Sequence, residues 1–356
     1  MKKIRLLGIF LCLILSLSLL VSCDNDVNDQ PKEPAKQAES FYDYFDTVSV
    51  VISYEGDDSA VFRSNCNEVS QLLGEYHKLF DIYYEYAGIN NLKTINKNAG
   101  KEPVKVDPKL IDFLLYAKEI YTLTNGATNV AMGSVLKLWH DARVDSIDDP
   151  ENAYIPTKEE LEDAAEHTNI EDLIINVEES TVYIADPLMS LDVGAVAKGY
   201  AVEKAAALLI SRGVTSYVLN VGGNIRAIGE KTAGKGWITG ITNPDKSSDE
   251  SFACRVIIKN ISLVTSGDYE RYFVCNGVKY HHIIDAETNM PANRFSSVSI
   301  FTADSGLADS LSTALFCMSY EDGLALINKI GGIDVIWIYT DGTIRATDGI
   351  VFAENE

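Results

Sequence analysis

The sequence predicts an α+β protein built largely on antiparallel sheets with helices set among them. Three observations carry that expectation. Strand-like and helix-like segments mix irregularly along the chain instead of alternating strictly. Near the C-terminus, VIWIYT and TIRAT flank Asp341-Gly342, a strong hairpin-turn signal. No Gly-rich turn follows a first strand, as a dinucleotide-binding βαβ unit requires.

The chain begins with Lys2, Lys3 and Arg5, followed by an apolar run from Leu6 to Leu20. That run is short for a spanning helix and suits a secretory leader. It ends Leu20-Val21-Ser22-Cys23, the pattern of a lipoprotein processing site. Residues 1–22 are therefore expected to be a signal peptide and Cys23 the lipidated residue. The mature protein is then extracytoplasmic and lipid-anchored to a bacterial cell membrane. Residues 23–40 are polar, carry two prolines and read as a tether. Residues 41–356 read as one catalytic unit of two coupled lobes.

Within that unit, Thr47–Tyr54 (TVSVVISY) is a strand candidate. Ala60 to Phe80 reads as a helix whose apolar stripe is Val61, Val69, Leu72, Leu73, Tyr76 and Leu79. Asp107-Pro108 starts a second helix, with Gly126 beyond its end. Thr157 to Glu160 matches a capping box. Val196–Arg212, stopped by Gly213, and Asp304–Met318 are further helices. The second half is richer in strands: Tyr217–Leu219, Trp237–Thr242, Cys254–Val264, Lys279–Ile284 and Ser297–Thr302.

Composition narrows the partners. There are 30 Lys+Arg against 52 Asp+Glu, a net charge of −22. Loss of the leader would take this to about −25. Nucleic acid and anionic lipid are poor main partners for such a chain, although a few donors and a metal can still bind a small anion. Of the six cysteines, Cys12 leaves with the leader and Cys23 carries lipid. Cys66, Cys254, Cys275 and Cys317 form no CxxC and have no histidine cluster, which argues against zinc. Cys254 and Cys275 lie in apolar strand-like runs and are expected to pack in a core.

Five segments carry potential chemistry. NGATNVAMGSVLKLW (125–139) offers small residues and amides after a helix, where backbone can approach a flat ligand or simply connect two helices. In DVGAVAKGY (192–200) a strand, Met189–Leu191, runs through a Gly turn into a helix start. Such a start seats anions, and Lys198 could reach a phosphate. NVGGN (220–224) follows an apolar strand and by itself reads as a structural turn. TSGDYERYFVCNGVKYHHIID (265–285) holds adjacent histidines. In a strand they face opposite sides, so only one can serve acid–base work. ADSLSTA (308–314) places Asp309 and Thr313 one helical turn apart, suited to Mg²⁺ or else an ordinary helix face.

Together, Phe45-Asp46-Thr47, NGATNVAMGSVLKLW, LDVGAVAKGYAVE, LNVGGNIRAIG, TSGDYERYF, YHHIIDAETNMP and ADSLSTALF resemble, in order and spacing, the ApbE-type FAD:protein FMN transferase family. The resemblance spans about Phe41 to Met318. It implies Mg²⁺ held by Asp309, Thr313 and the main-chain oxygen of Ala195. It implies FAD as substrate against Phe45, Thr128, Asn129, Val130, Asp192, Lys198 and Ile283. His282 is implied to activate the incoming hydroxyl, with Asp285 as a supporting polar group. The implied partner is a flavoprotein subunit bearing a Ser/Thr acceptor motif, which receives FMN while AMP leaves. The sequence departs from the family pattern at Thr128-Asn129, where an aromatic-Asp pair is common. It also has Thr288-Asn289 in place of Thr-Gly, and Phe45 in place of a commoner methionine. Asn289 can adopt the left-handed conformation a Gly would take. The rival readings are an Mg²⁺-dependent FAD pyrophosphatase and a non-catalytic flavin-binding lipoprotein. Asp341 to Thr347 faintly resembles the acceptor pattern itself, but a plain β-hairpin explains it better.

Overall fold

A computed structural model describes residues 36–54, 56 and 58–354. The leader and Cys23 lie outside the described residues. In chain order the elements are β1 (Gln37–Tyr44), β2 (Thr47–Ser53), α1 (Ser59–Phe80), α2 (Leu92–Lys97), β3 (Val104–Lys105), α3 (Pro108–Leu123), α4 (Gly133–Asp148) and α5 (Lys158–Ala165). There follow β4 (Leu173–Asn176), β5 (Thr181–Ile184), α6 (Ala197–Ser211), β6 (Ser216–Val221), β7 (Asn224–Gly229), β8 (Trp237–Thr242), β9 (Phe252–Ile258) and β10 (Ser262–Gly267). The chain ends with β11 (Tyr272–Cys275), β12 (Val278–His281), β13 (Phe295–Thr302), α7 (Ser305–Cys317), α8 (Tyr320–Ile330), β14 (Asp334–Tyr339) and β15 (Ile344–Ala346). The fold is α+β with antiparallel sheets, as the irregular pattern predicts. The first strand begins at Gln37, inside the segment expected as tether.

The frame is one eight-stranded antiparallel sheet in the order β1-β2-β6-β7-β10-β13-β14-β15. Side chains alternate strictly across it, as a period of two requires. On β13, Val298 and Ile300 face one core while Phe301 faces another; on β14, Val335 and Trp337 are opposed to Ile336 and Ile338. Helices α1, α3 and α6 bury the largest core against one face. Helices α7 and α8 extend that cover over β13 and β14. The β8–β9 hairpin covers the opposite face. A fourth cluster joins α4 and α5 to the β11–β12 hairpin. Among the described residues no helix is long and apolar enough to cross a membrane.

Local signals were realised where they are chemically self-contained. Asp107 caps α3 through the Lys109 amide, and Thr157 and Glu160 make both bonds of a capping box. Elsewhere packing overrode the pattern. Phe62 and Cys66 face the core from α1, while Val61 is 51% exposed. The stretch read as one strand, Cys254–Val264, is two, broken at Asn260 with φ of 47°. The strand expected over Lys279–Ile284 stops at His281, because the Ile283 amide donates to the His281 ring instead of a neighbouring strand. Met189–Leu191 is no regular strand: Ser190 makes only an isolated bridge to Met132. Cys275 is buried, as expected, and Cys254 only half-buried. All four described cysteines are free, one in or against each core: Cys66, Cys317, Cys254 and Cys275.

Helices α6 and α7 meet at Gly199. A Cβ there would stand 2.3 Å from both the Ser305 carbonyl oxygen and the Asp309 Cβ, so only hydrogen fits. One turn on, Glu203 accepts the Ser305 amide at 2.9 Å and the buried Arg226 guanidinium at 3.3 Å. This adds a charged cap at the start of α7, beside the Asp304 cap of Leu307. Gly199→Ala should therefore push the two helices apart at a cost of about 1–3 kcal/mol. The check is urea unfolding; an unchanged midpoint would contradict the close approach.

Candidate functional site

The crossing of α6 and α7 creates a buried carboxylate. Asp309 is 5% exposed, so the sequence alternative of an ordinary exposed helix face does not hold. Its Oδ2 accepts the Gly199 amide at 2.7 Å. Gly199 is the third residue of α6, so its amide is one of the first-turn donors that have no acceptor within the helix, and Asp309 supplies one. The Thr313 hydroxyl makes no hydrogen bond among the described residues, so it is not back-bonded to its helix. The Asn224 side-chain amide, arriving from the β6–β7 turn, is buried beside the acid and favours its charged form. Burial pushes the Asp309 carboxyl above the usual carboxylate range, against the opposing pull of Lys198, the Gly199 amide and Asn224.

A buried carboxylate and an unbonded hydroxyl one helical turn apart match oxygen ligands of a hard divalent cation, whose remaining positions are main-chain oxygen, water or substrate phosphate. No cluster of three or more His, Cys, Asp or Glu suited to a metal occurs among the described residues. The burial penalty on the Asp309 charge, only partly offset by Lys198, the Gly199 amide and Asn224, suits a site completed by a cation.

Lys198, in the first turn of α6, acts electrostatically on both Asp309 and His282, which brings these three residues together. His281 is buried and bonds the Ala292 carbonyl at 2.6 Å. His282 lies just beyond the end of β12 and, unlike His281, is exposed to solvent. Its ring is crowded by cleft atoms on the protein side, and this desolvation, followed by Arg271, His281 and Lys198, pushes its pKa down to about 3. Water still reaches the ring, so the direction carries the conclusion: the imidazole is neutral at pH 7.

The other expected residues line the same region or shape it. Phe45 and Asp46 form a two-residue hairpin turn with φ of 55° and 52°, and the Phe45 ring meets His77 edge-on at 5.7 Å. Thr128 is buried and donates to the Ser310 carbonyl at 2.8 Å, tying its loop to α7. Asn129 spends its side chain on the Thr168 carbonyl and the Ala131 amide, at 2.9 Å each. Val130 is buried and its carbonyl accepts the Asp192 amide at 2.9 Å. This stretch can therefore present backbone, not side-chain amide, to a ligand. Asp192 holds the Gly194 amide at 2.9 Å. Burial raises the Asp192 carboxyl's pKa, while Gly194, His140 and Arg271 oppose the shift. Ile283 is buried and pins the chain beyond His282 through the Ala292 amide. Asp285 is not a hydrogen-bond partner of His282; it caps the Glu287 amide and lies 3.7 Å from Arg294. Asn289 has φ of 57°, the left-handed conformation expected of it, and its carbonyl accepts the Trp139 indole at 2.9 Å. Thr347 is engaged in its hairpin, donating to Asp334 at 2.6 Å.

Sequence reasoning missed Asn224, Tyr83, His140 and Arg143. Asn224 was visible only as the end of a glycine turn. His140 and Arg143 are one turn apart on α4, while Tyr83 comes from the loop after α1, and no local pattern links that loop to the helix.

The chain matches the model of the ApbE family over residues 46–337. It is 35% identical over 274 residues to the FAD:protein FMN transferase of Treponema pallidum, covering 73% of this chain and 74% of that one. It is 30% identical over 322 residues to the Vibrio cholerae protein of the same name, covering 89% and 90%. Among solved structures, the ApbE protein of Thermotoga maritima superposes with a TM-score of 0.76 at 27% identity, covering 88% of this chain and 97% of that one. The flavin transferase ApbE of Vibrio cholerae superposes with 0.72 at 27% identity, covering 88% and 96%.

Two outcomes follow from the electrostatics. Asp309→Asn removes a buried charge and keeps an acceptor for the Gly199 amide. The variant should be at least as stable as the parent without divalent cations. It should also lose the stabilisation MgCl₂ gives the parent, about 2.7 kcal/mol at a hundredfold excess over Kd. A thermal melt in which the variant still responds to Mg²⁺ refutes this. His282 should remain unprotonated from about pH 7.5 to about pH 5 in an NMR titration of its ring. Because its folded pKa lies below the unfolded value, the unfolded chain takes up the proton first, and this histidine's contribution to stability falls as pH drops below about 6.5. A ring titrating at the ordinary position would remove the neutral-base assignment.

Proposed function

The chain belongs to the ApbE family, and from that premise we propose that it is an FAD:protein FMN transferase working at the cleft between Asp309 and His282. The observation that carries the proposal is the buried Asp309, bonded to the Gly199 amide at the start of α6, with an unbonded Thr313 hydroxyl one turn along the same helix. Lys198 bridges electrostatically from that cluster to the neutral His282.

FAD is the substrate. A bound Mg²⁺, held by Asp309, Thr313 and the Ala195 carbonyl, would neutralise diphosphate charge that otherwise repels a nucleophile. Lys198 and the amides at the start of α6 orient the phosphates. The backbone of residues 128–130, Phe45, Asp192 and Ile283 supply the walls against which the flavin half rests. The unprotonated imidazole of His282 takes the proton from a threonine or serine hydroxyl of the acceptor flavoprotein. The acceptor oxygen then bonds the FMN phosphorus, the bond to the AMP phosphate breaks, and AMP leaves with that electron pair. Asp285 acts at one remove, by holding the turn that follows His282.

The solvent-exposed His282 also supports a second reading, in which water replaces the acceptor hydroxyl and the products are free FMN and AMP. We further propose that the protein is secreted and lipid-anchored at Cys23, on the leader pattern alone.

Mass spectrometry of protein from residue 24, mixed with FAD, Mg²⁺ and a domain bearing Asp-x-x-Ser-Gly-Ala-Thr, tests the reading. The acceptor should gain the mass of FMN minus water, and chelation of Mg²⁺ or Asp309→Ala should abolish the gain. Free FMN and AMP without adduct would favour hydrolysis. Intact FAD would leave a flavin carrier.

A further inference from the structure

His281 is a buried titratable side chain that the transfer step above does not use, and both of its ring nitrogens are engaged. Nε2 lies 2.6 Å from the Ala292 carbonyl oxygen, which can only accept, so Nε2 carries the proton. The Ile283 amide donates to Nδ1 at 3.2 Å, so Nδ1 carries the lone pair. These two bonds define one neutral tautomer. Burial pushes the His281 pKa below that of a free imidazole, against the opposing pull of the Ala292 carbonyl and Asp268, and Lys279 adds to the fall. An imidazolium would turn a second N–H on the Ile283 amide and lose that bond.

The bonds bracket His282. The Ile283 amide reaches back over it to the His281 ring. The His282 amide donates to the Arg271 carbonyl at 3.1 Å, and the Ile283 carbonyl accepts the Ala292 amide at 3.0 Å. The peptide groups on both sides of His282 are thus held, one of them by a side chain. The same His281 ring meets Phe316 edge-on at 5.6 Å. Phe316 is fully buried on α7, on the helical stripe that also carries Asp309 and Thr313. His281 therefore touches both the chain that bears the base and the helix that bears the candidate cation ligands.

We propose that His281 is a positioning residue, whose ring holds the chain bearing His282 at a set place against α7. This rests on the transferase reading above and adds to it the residue that aligns the base. The adjacent histidines divide the work: the exposed one meets the incoming hydroxyl, and the buried one fixes where it does so. A reacting group misplaced by about 1 Å can lose about a hundredfold in rate.

The test is steady-state FMN transfer to the acceptor domain, with FAD affinity read by flavin fluorescence and the Mg²⁺ response by thermal melting. His281→Phe keeps a ring against Phe316 and loses both hydrogen bonds. It should lower kcat about 10- to 100-fold, with FAD Kd within about twofold and the Mg²⁺ response kept. His281→Asn sets a side-chain oxygen near the position of Nδ1, so it should accept the Ile283 amide again and recover most of the lost kcat. An unchanged kcat in His281→Phe overturns the proposal. So does a fall in FAD affinity and Mg²⁺ response in step with kcat, which would make His281 a general structural residue. An asparagine variant no faster than the phenylalanine one overturns it too. Nitrogen-15 NMR of the parent needs no variant to fold: His281 should carry its proton on Nε2 alone at about pH 7.5, and a mixture of tautomers overturns the assignment. A parent that forms no adduct sinks the transferase reading and this role with it, whereas an active parent unmoved by His281→Phe sinks the positioning role alone.

Discussion

The contact of Gly199 with α7 governs everything built around it. Because no side chain separates the two helices there, the Gly199 amide, a first-turn donor with no acceptor in its own helix, reaches Asp309. One hydrogen bond therefore does two things. It partly satisfies a buried carboxylate, and it caps the first turn of α6 from α7. The Glu203–Arg226 pair and its bond to Ser305 lock the same crossing one turn further on, where a buried guanidinium and a half-buried carboxylate hold each other and a helix start. The strands supply the rigid floor; the helix crossing supplies the chemistry.

Electrostatically the site runs against the rest of the molecule. The chain is strongly acidic, yet Lys198 and Arg271 both act on His282. Local cations in a negative field concentrate attraction for an anion at one place. Burial does most to keep His282 neutral at the pH where a base is useful, and the charges of Arg271 and Lys198 add to it.

What the sequence disclosed divides by range. Caps at Asp107 and Thr157, the Asp341-Gly342 hairpin and the contrast between His281 and His282 depend on residues within one turn or one strand pair, and all were legible. The position of Phe62 rather than Val61 against the core was not. Nor was the break at Asn260, because both depend on what packs from elsewhere. The site itself was half legible. Asp309 and Thr313 could be placed on one helical face from spacing alone, but nothing in ADSLSTA says that the face is buried. Asn224 and Gly199 acquire meaning only when separate elements are brought together. Asp285 shows the converse: its nearness to His282 in sequence suggested a partnership, while in space it serves the turn.

The four free cysteines give the fold an unplanned set of internal gauges. Each belongs to a different core, and burial pushes the Cys66 thiol up to about 12 and raises those of Cys254 and Cys317 as well. Thiols held in the neutral form are poor nucleophiles, so alkylating reagents must wait for the surrounding packing to open. The order in which the four become labelled as denaturant rises would then record the order in which the four cores give way. No disulfide joins these positions, so the tertiary fold asks nothing of the oxidation state of its surroundings.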